Sequence, residues 1–597
     1  MRPIYNRLCV AGVSAAMVLP TLSCVSEVSA ELQERPNVIF ILIDDVSYFG
    51  IPAYGAQSVS TKAGGDEFVK VNTPNIDKLA QEGVMCTHAY AHALSEATRV
   101  ALMTGMNNGR NYLVPKSLHD SQITFGDVFQ RAGYATGMYG KWKQTRGTTQ
   151  IPGKEYISAF GWDDYACFDV ITERQRYVNP ELVVNGERVS YIGRDDIDPE
   201  TGRRWYGPDI FNRKALEFIE EHQDEPFFLY YPMVLIHDEH RPTPDSEPKE
   251  VFDTMPEGNK DFNDLKYVTD MLTYADKMTG RIVDKLEELD LRDNTIIVVM
   301  GDNGGVGVTF TMEDGSLHVG GKGRTNYAGE QVPLIFSCPG LIPASSDGAI
   351  RRYDGLVDLT DIYPTLITSC GIEIPNEDKI DGVSLWSQIV GESIDPHRDV
   401  IYKWYNGNWT QREPTMIARY SHTDRYKYYA PSEFFPEGRF FDLELDPTET
   451  GGEMGPVAAK NNPKSSNRWY GGLEASVLND EQRAAMEMLR AVNDENRYIK
   501  VQSIAISDGV KSVNVGDVIQ LQHSVTPSNA TRNGVIWESS DSSIASVNKF
   551  GELTAHKAGR VTISLYSWDD AWPVATGDTT GGYSRDGMRS NVVIEVL

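Results

Sequence analysis

The sequence predicts an α/β protein built around a mostly parallel central sheet, continued by a smaller α+β region and closed by an all-β sandwich. Three observations carry this. Two continuous apolar runs, residues 38–43 and 295–300, are rich in β-branched residues, and each leads into acidic or amide side chains: Asp44-Asp45 after the first, Asp302-Asn303 after the second. Such runs read as strands buried on both faces. Between them lie segments with apolar residues at helical spacing, so that strand and helix alternate. Beyond Tyr498 the texture changes to short alternating strands separated by Gly and Asn turns, the pattern of a sandwich.

The elements follow in chain order. Residues 1–30 read as an export signal: Arg2 and Arg7 are positive, residues 8–22 are apolar, and Val28-Ser29-Ala30 resembles a cleavage site. The apolar run is too short to span a bilayer comfortably, and no later segment is long and apolar enough to do so. The expected location is therefore periplasmic or extracellular. A lipid anchor at Cys24 ranks second, because Thr21 stands where that motif prefers Leu. Residues 31–385 form the α/β domain, with further strands expected at 227–231 and 332–336 and helices at 75–82, introduced by Thr73-Pro74, and 269–289. Residues 386–497 are less regular: a strand and Pro turn at 440–449, a polar loop at 456–467 and a helix at 479–496. Residues 498–597 carry the short strands, with a polar, Gly-rich insertion at 568–589.

Composition narrows the function. The hydrophobic fraction is 40%, which suits a large core and excludes a disordered chain. The formal net charge of −29 repels nucleic acid and anionic lipid, so neither is an expected partner. An anionic substrate would need a site that is basic against the overall field. Outside the leader, Cys86, Cys167, Cys338 and Cys370 are scattered without a Cys-x-x-Cys pair, so they read as buried thiols rather than a zinc site or disulfide framework.

Candidate chemistry begins at the strand ends, where ligands sit in such sheets. Asp44, Asp45, Asp302 and Asn303 offer hard oxygen ligands that select a hard divalent cation such as Ca2+. Taken singly, each pair also reads as a turn or helix cap. Between them lies Leu94-Ser95-Glu96-Ala97-Thr98-Arg99, followed by Val100-Ala101-Leu102-Met103-Thr104-Gly105. Ser-x-Ala-x-Arg alone is a weak pattern; its weight comes from the acidic pairs on either side of it in the chain.

Together with Gly140-Lys141-Trp142, residues 237–242, Asp302-Asn303-Gly304 and Gly321-Lys322-Gly323, these segments occur in the order found in formylglycine-dependent sulfatases of the alkaline phosphatase superfamily, which the chain resembles over about residues 36–450. The resemblance implies an alkaline-phosphatase-like sandwich and sulfate ester hydrolysis, with a sulfated polysaccharide or oligosaccharide as substrate. It implies that Ser95 is oxidised to formylglycine by a maturation enzyme that accepts serine. One Ca2+ would be held by Asp44, Asp45, Asp302, Asn303 and the modified Ser95. Arg99 would orient the formylglycine hydrate, Lys141 and Lys322 would contact sulfate oxygens, and His240, with His237 as its neighbour, would protonate the leaving oxygen. Three positions depart from the family pattern: Ala97 replaces the common Pro, Lys143 stands where a His is frequent, and Glu239 replaces the Pro before His240. The series Val515-Gly516-Asp517, Trp537-Glu538-Ser539-Ser540-Asp541, Gly551-Glu552-Leu553-Thr554-Ala555 and Ala558-Gly559 resembles a bacterial Ig-like domain of the group-2 type, a module that serves as spacer or adhesion unit.

Two other functions stay open on the residues alone: a phosphoester or phosphonate hydrolase using unmodified Ser95, since phosphate and sulfate share a shape, and a catalytically silent glycan-binding protein. Trp142, Trp162, Tyr165, Trp205, Trp404 and Trp409 could stack on sugars, although packing in the core or in loops is the simpler expectation for each.

Overall fold

The computed structural model describes residues 35–597 except 64, 114–116, 143, 145–156, 169–174, 258–261, 346, 376, 406–417, 432–437, 448, 450–471, 474, 508 and 570–587. The leader at 1–30, Lys143, Trp409, the loop at 456–467 and most of the 568–589 insertion lie outside the described residues. The strand Asn37–Ile43 is buried along its whole length. It pairs in parallel with Thr295–Gly301 on one side and with Phe227–Pro232 on the other. Beyond Phe227–Pro232 come Ala135–Lys141 and Asp164–Phe168, also parallel, and then two short antiparallel strands. Beyond Thr295–Gly301 come Leu334–Ser337, which runs antiparallel, then Val84–Tyr90 and Arg351–Asp358, making ten strands in all.

Helices cover both faces, and the period-two alternation of the central strand shows why. Val38, Phe40 and Leu42 join the core formed with Ala97, Val100, Phe125 and Ile362, whereas Ile39, Ile41 and Ile43 join the opposite core with Ile76, Leu79, Phe211 and Met271. Each fully buried Ile or Phe contributes about 1.5–3 kcal/mol of transfer free energy. The helices expected at 75–82 and 269–289 are Pro74–Gln81 and Val268–Glu288. Cys86, Cys167, Cys338 and Cys370 are buried and free, as expected. Trp142, Trp162 and Tyr165 are at most 1% exposed and are core side chains, out of reach of a sugar.

The region after residue 386 is more regular than its composition suggests. Ile401–Tyr405, Ala418–His422, Tyr426–Tyr429 and Arg439–Asp442 form a four-stranded antiparallel sheet. The helix Asp480–Glu495 packs on it, opened by a capping box between Asn479 and Gln482. The last hundred residues form small antiparallel-dominated sheets around Trp537, Leu553, Ile563, Leu565 and Ile594.

This β module docks directly on the α/β domain. Lys549 Nζ donates to both oxygens of Asp127, at 2.9 and 3.0 Å, and to the carbonyls of Gln122 and Ala159. Arg532 Nε reaches the Gly109 carbonyl at 3.2 Å, and Arg110 reaches the Thr531 carbonyl at 3.3 Å in return. Trp568 donates to Ser121 and packs on Met106 and Leu113. Replacing Lys549 by Met leaves the Asp127 carboxylate enclosed without its cation, at a cost of about 1–3 kcal/mol. Lys549→Met should therefore lower the first unfolding transition in calorimetry; a trace superimposable on wild type would show that this ammonium contributes nothing to docking.

Candidate active site

Four parallel strands end at one place. Because Ile43 lies opposite Gly301 and Leu42 opposite Pro232, the chain leaves the sheet there as Asp44-Asp45 and Asp302-Asn303. Lys141 closes the Ala135–Lys141 strand, and the segment carrying His237 and His240 comes directly after Phe227–Pro232. Gly140 makes this possible: its φ is +134°, and a Cβ there would sit 2.0 Å from the Pro232 carbonyl oxygen.

Ser95 is the first residue of the helix Ser95–Thr104, which Gly105 ends in the left-handed conformation at φ +66°. The free amides of a helix N-terminus favour negative charge beside Ser95. Its Oγ accepts from Arg99 Nε at 3.0 Å and from Lys141 Nζ at 2.9 Å. Arg99, one helical turn on and wholly buried, also donates to Asp302 Oδ2 through Nε at 3.0 Å and a terminal nitrogen at 2.8 Å. Lys141 pairs with Asp44 Oδ2. Lys322 donates to Asp45 Oδ2 at 2.6 Å, and Asn303 Nδ2 to Asp45 Oδ1 at 2.8 Å. The Asp45 N–H in turn donates to Asp302 Oδ1 at 3.0 Å. Asp45 holds a left-handed φ of 59°, a conformation open to Asp at a cost of about 1 kcal/mol and fixed here by those three bonds.

The cluster is thus three buried carboxylates interleaved with three cations. Burial pushes the Asp44 carboxyl up, and the Asp302 charge pushes it further. Burial acts on Asp302 and Asp45 too, but Arg99 and Lys141 hold Asp302 below the usual carboxylate range, and Lys322 does the same for Asp45. Two oxygens in this cage, Asp44 Oδ1 and Asn303 Oδ1, are buried without a hydrogen-bond donor. Buried acceptors are rarely left so, and four hard-oxygen side chains with two orphaned oxygens fit a divalent cation. Asp44, Asp45 and His237 also offer ligand atoms within 4.8 Å of one another.

His240 is buried. Its Nδ1 faces Asn263 Oδ1 at 2.7 Å, and its N–H donates to the same oxygen at 2.8 Å. An oxygen that already accepts a backbone N–H fixes Nδ1 as the protonated nitrogen, so Nε2, which has no partner, is the nitrogen free for chemistry. Burial holds the imidazole below its ordinary pKa, with Asn263 acting in the opposite direction. His237 Nδ1 lies 2.6 Å from Asp238 Oδ1, a contact that holds Asp238 well below the carboxylate range. Two residues were not legible as site residues. Asn263 lies in no motif. Arg176 lies in no motif either; it contacts His237 Nδ1 at 3.1 Å and donates to the Asp238 carbonyl, and its chain neighbour Tyr177 bonds the carbonyls of Val234 and His237.

Comparison with known proteins agrees with this arrangement. The family model described as Sulfatase matches residues 36–372, and that of the bacterial Ig-like domain (group 2) matches residues 500–571. An N-acetylgalactosamine-6-O-sulfatase of Bacteroides thetaiotaomicron is 26% identical over 491 residues, covering 70% of this chain and 89% of its own. The N-acetylgalactosamine-6-sulfatase of Canis lupus familiaris is 26% identical over 420 residues, covering 67% and 74%. In fold, a solved structure described as in complex with its substrate D-glucosamine-2-N,6-O-disulfate superimposes with a TM-score of 0.54 at 21% identity, covering 77% of this chain and 98% of that one. The family match spans more than half of the chain and contains every charged group of the cage, so the protein belongs to the sulfatase family and carries a group-2 bacterial Ig-like domain near its C-terminus.

Proposed function

We propose that this sulfuric ester hydrolase removes sulfate from a sulfated glycan at Ser95, matured to formylglycine, with Ca2+ held by Asp44, Asp45, Asp302, Asn303 and residue 95. The observation that carries this is the convergence of Arg99 and Lys141 on Ser95 Oγ beside two orphaned cage oxygens. Asp44, Asp45 and Asp302 balance Arg99, Lys141 and Lys322, so a divalent cation leaves the cage positive, as an anionic ester requires. Bound there, Ca2+ supplies Lewis-acid polarisation of a sulfate oxygen and lowers the pKa of a coordinated hydroxyl. Formylglycine supplies a geminal diol, a better nucleophile than a serine hydroxyl and one that can release sulfate by re-forming its carbonyl.

The chain's own residues do the rest. Arg99, fixed by Asp302, holds the oxygen on residue 95 in place. Lys141 and Lys322 sit where charge grows on the sulfate oxygens and stabilise it without reorganising. His240, with Nδ1–H pinned by Asn263, presents Nε2, which takes up a proton from water to form the imidazolium before handing it to the departing sugar oxygen. The relatives' activities on 6-sulfated hexosamines make such a unit the first substrate to assay. The reading divides the chain as 1–30 export signal, 31–385 catalytic domain, 386–497 subdomain and 498–597 Ig-like domain. Export to the periplasm or exterior is inferred from the leader, with a lipid anchor at Cys24 as second choice. Among the described residues no helix is long and apolar enough to cross a membrane.

The phosphoester alternative differs at one atom. Maturation removes two hydrogens from Ser95, about 2 daltons in a peptide mass, and active protein should show that loss. Full activity on a phosphate ester with an unchanged Ser95 mass would favour the alternative instead. Asp302→Ala strips Arg99 of its partner and the cage of a ligand; it should abolish Ca2+ binding in a calorimetric titration and lower turnover by at least about 100-fold. Lys322 is partly exposed, at 22% of its side chain, but it is the cation on the buried Asp45 carboxylate; Lys322→Ala should stay folded with stability lowered by about 1–3 kcal/mol while losing turnover by about 100- to 1000-fold. Near-normal turnover in that variant would move the anion site elsewhere.

A further inference from the structure

The subdomain sheet has two unlike faces. Tyr426, Tyr428 and Phe440 pack with Leu478 and Leu489 on one side. The other side, set by the pairing Lys403↔Tyr420↔Tyr429 and His422↔Lys427, turns two lysines, a histidine and two tyrosines towards the catalytic domain, all of them buried. Taking an ammonium out of water costs several kcal/mol, and a well-packed apolar side chain in its place is often neutral or stabilising. Two such lysines on one sheet face therefore call for a reason other than stability.

Their contacts supply one. Lys403 Nζ donates to the carbonyls of Tyr90 at 2.9 Å and Ala91 at 3.1 Å, with Asp358 as counterion at 3.0 Å. These two residues end the strand Val84–Tyr90 and open the short link to Ser95. Lys427 Nζ donates to the Thr325 carbonyl and pairs with Glu449 at 3.1 Å and Glu330 at 3.6 Å. Tyr429 Oη lies 3.0 Å from the Thr325 carbonyl oxygen and 2.7 Å from a Glu449 carboxylate oxygen, with one proton to give to the two acceptors. Thr325 lies three residues after Lys322. The two gripped segments are also tied to each other: Ala91 N–H donates to the Glu330 carbonyl at 2.7 Å, and Gly323 N–H to the Ala93 carbonyl at 2.8 Å.

We propose that Lys403 and Lys427, both outside the family match at 36–372, are positioning residues for the sulfate site. Through backbone carbonyls they set the link bearing Ser95 and the loop bearing Lys322 at a fixed separation. The subdomain is then part of the anion-binding apparatus rather than an appendage to it. This rests on the proposed role of Lys322 at sulfate. Among the described residues Lys322 is held by its bond to Asp45 and by its backbone N–H to the Gly305 carbonyl, and its loop is tied further by Gly321 N–H to the Ala328 carbonyl, by Gly323 and by Thr325.

The test uses the full-length protein and inorganic sulfate as probe. Lys427→Met combined with Glu449→Gln removes the ammonium together with one of its two carboxylate partners; burial already pushes the other, Glu330, up to about 7, so it can take a proton. Tyr429→Phe removes only the hydroxyl at Thr325 and serves if the double variant does not fold. Calorimetric titration at a temperature where each variant is fully folded should give sulfate affinity on the order of tenfold weaker than wild type, with Ca2+ affinity and the mass of the Ser95 peptide unchanged. Wild-type sulfate affinity with a lowered melting temperature would overturn the proposal, because the loop bearing Lys322 would then keep its place without Lys427. Lys322→Ala, run alongside, separates the two assignments: if it binds sulfate as wild type does, the anion site itself is misplaced; if it loses sulfate while the Lys427 and Tyr429 variants keep it, only the positioning role falls.

Discussion

The structure is organised by one electrostatic requirement: three carboxylates buried at the ends of parallel strands must be neutralised without water. Asp44, Asp45 and Asp302 have essentially no solvent exposure, and an ionised carboxylate in such surroundings is costly unless paired and hydrogen-bonded. The pairing comes from four distant parts of the chain. Arg99 arrives on a helix, Lys141 on a strand end, Lys322 on a glycine-flanked loop and Asn303 from beside Asp302. Each partner is fixed by a backbone feature with no slack: a helix N-terminus at Ser95, a left-handed Asp45, a glycine at 140 where no Cβ fits. The same groups that neutralise the carboxylates point cations at Ser95 Oγ, so the arrangement that lets the cluster be buried also prepares it for an anionic ester. Preorganised donors of this kind are effective because they need not move as charge develops.

Much of this was legible in sequence because the signals are local. Continuous β-branched runs name the central strands, and the polar residues at the end of each run name the strand-end ligands. The Ser95-to-Arg99 spacing of one helical turn puts both on one helix face. The antiparallel course of Leu334–Ser337 was not legible, since strand direction depends on the connection and not on the residues within the strand. Nor was the subdomain sheet. Its strands 401–405 and 426–429 carry Lys403 and Lys427 at positions that an amphipathic pattern assigns to solvent, and only the pairing register shows that this face is buried. Asn263 and Arg176 share the difficulty: neither belongs to a motif, and each acts on a histidine whose segment is remote from it in sequence. The aromatic residues follow the simpler expectation: Trp142 and Trp162 fill the core beneath the strand ends rather than facing a sugar.

The two C-terminal regions relate to the catalytic domain by different physics. The subdomain meets it through buried ammonium groups that donate to backbone carbonyls and pair with buried carboxylates. These contacts are directional and sensitive to tenths of an ångström, and they suit setting a distance. The Ig-like module meets it through Lys549, the buried Arg532, and Trp568 against Met106 and Leu113, a mixture of polar and apolar contacts closer to an ordinary interface. A module tethered only as a spacer has no use for an arginine that is 2% exposed and bonded to the carbonyl of Gly109. Gly109 itself admits no side chain, because a Cβ would lie 2.1 Å from the Trp404 ring. Catalytic domain, subdomain and Ig-like module thus pack together at one short helix, Asn108–Asn111, whose Asn108 donates to the Ala97 carbonyl of the helix that opens at Ser95.

The net charge of −29 bears on how a substrate arrives. A sulfated polymer feels the whole surface at long range and the cage only at contact. In dilute salt the first of these opposes approach; with a screening length of about 8–10 Å near physiological ionic strength, most of that repulsion is confined to about that distance from the surface. There the local balance of Arg99, Lys141 and Lys322 against three carboxylates, tipped on the proposed reading by a divalent cation, takes over in buried surroundings of low dielectric where screening is weak. Selectivity then rests on the short-range site rather than on steering. An acidic surface rejects polyanions that cannot place a sulfate group in the cage, while salt removes the penalty for those that can. Such an enzyme would gain little in rate from electrostatic attraction and would depend on geometry, which is why the groups that fix the separation of Ser95 and Lys322 carry so much of the burden.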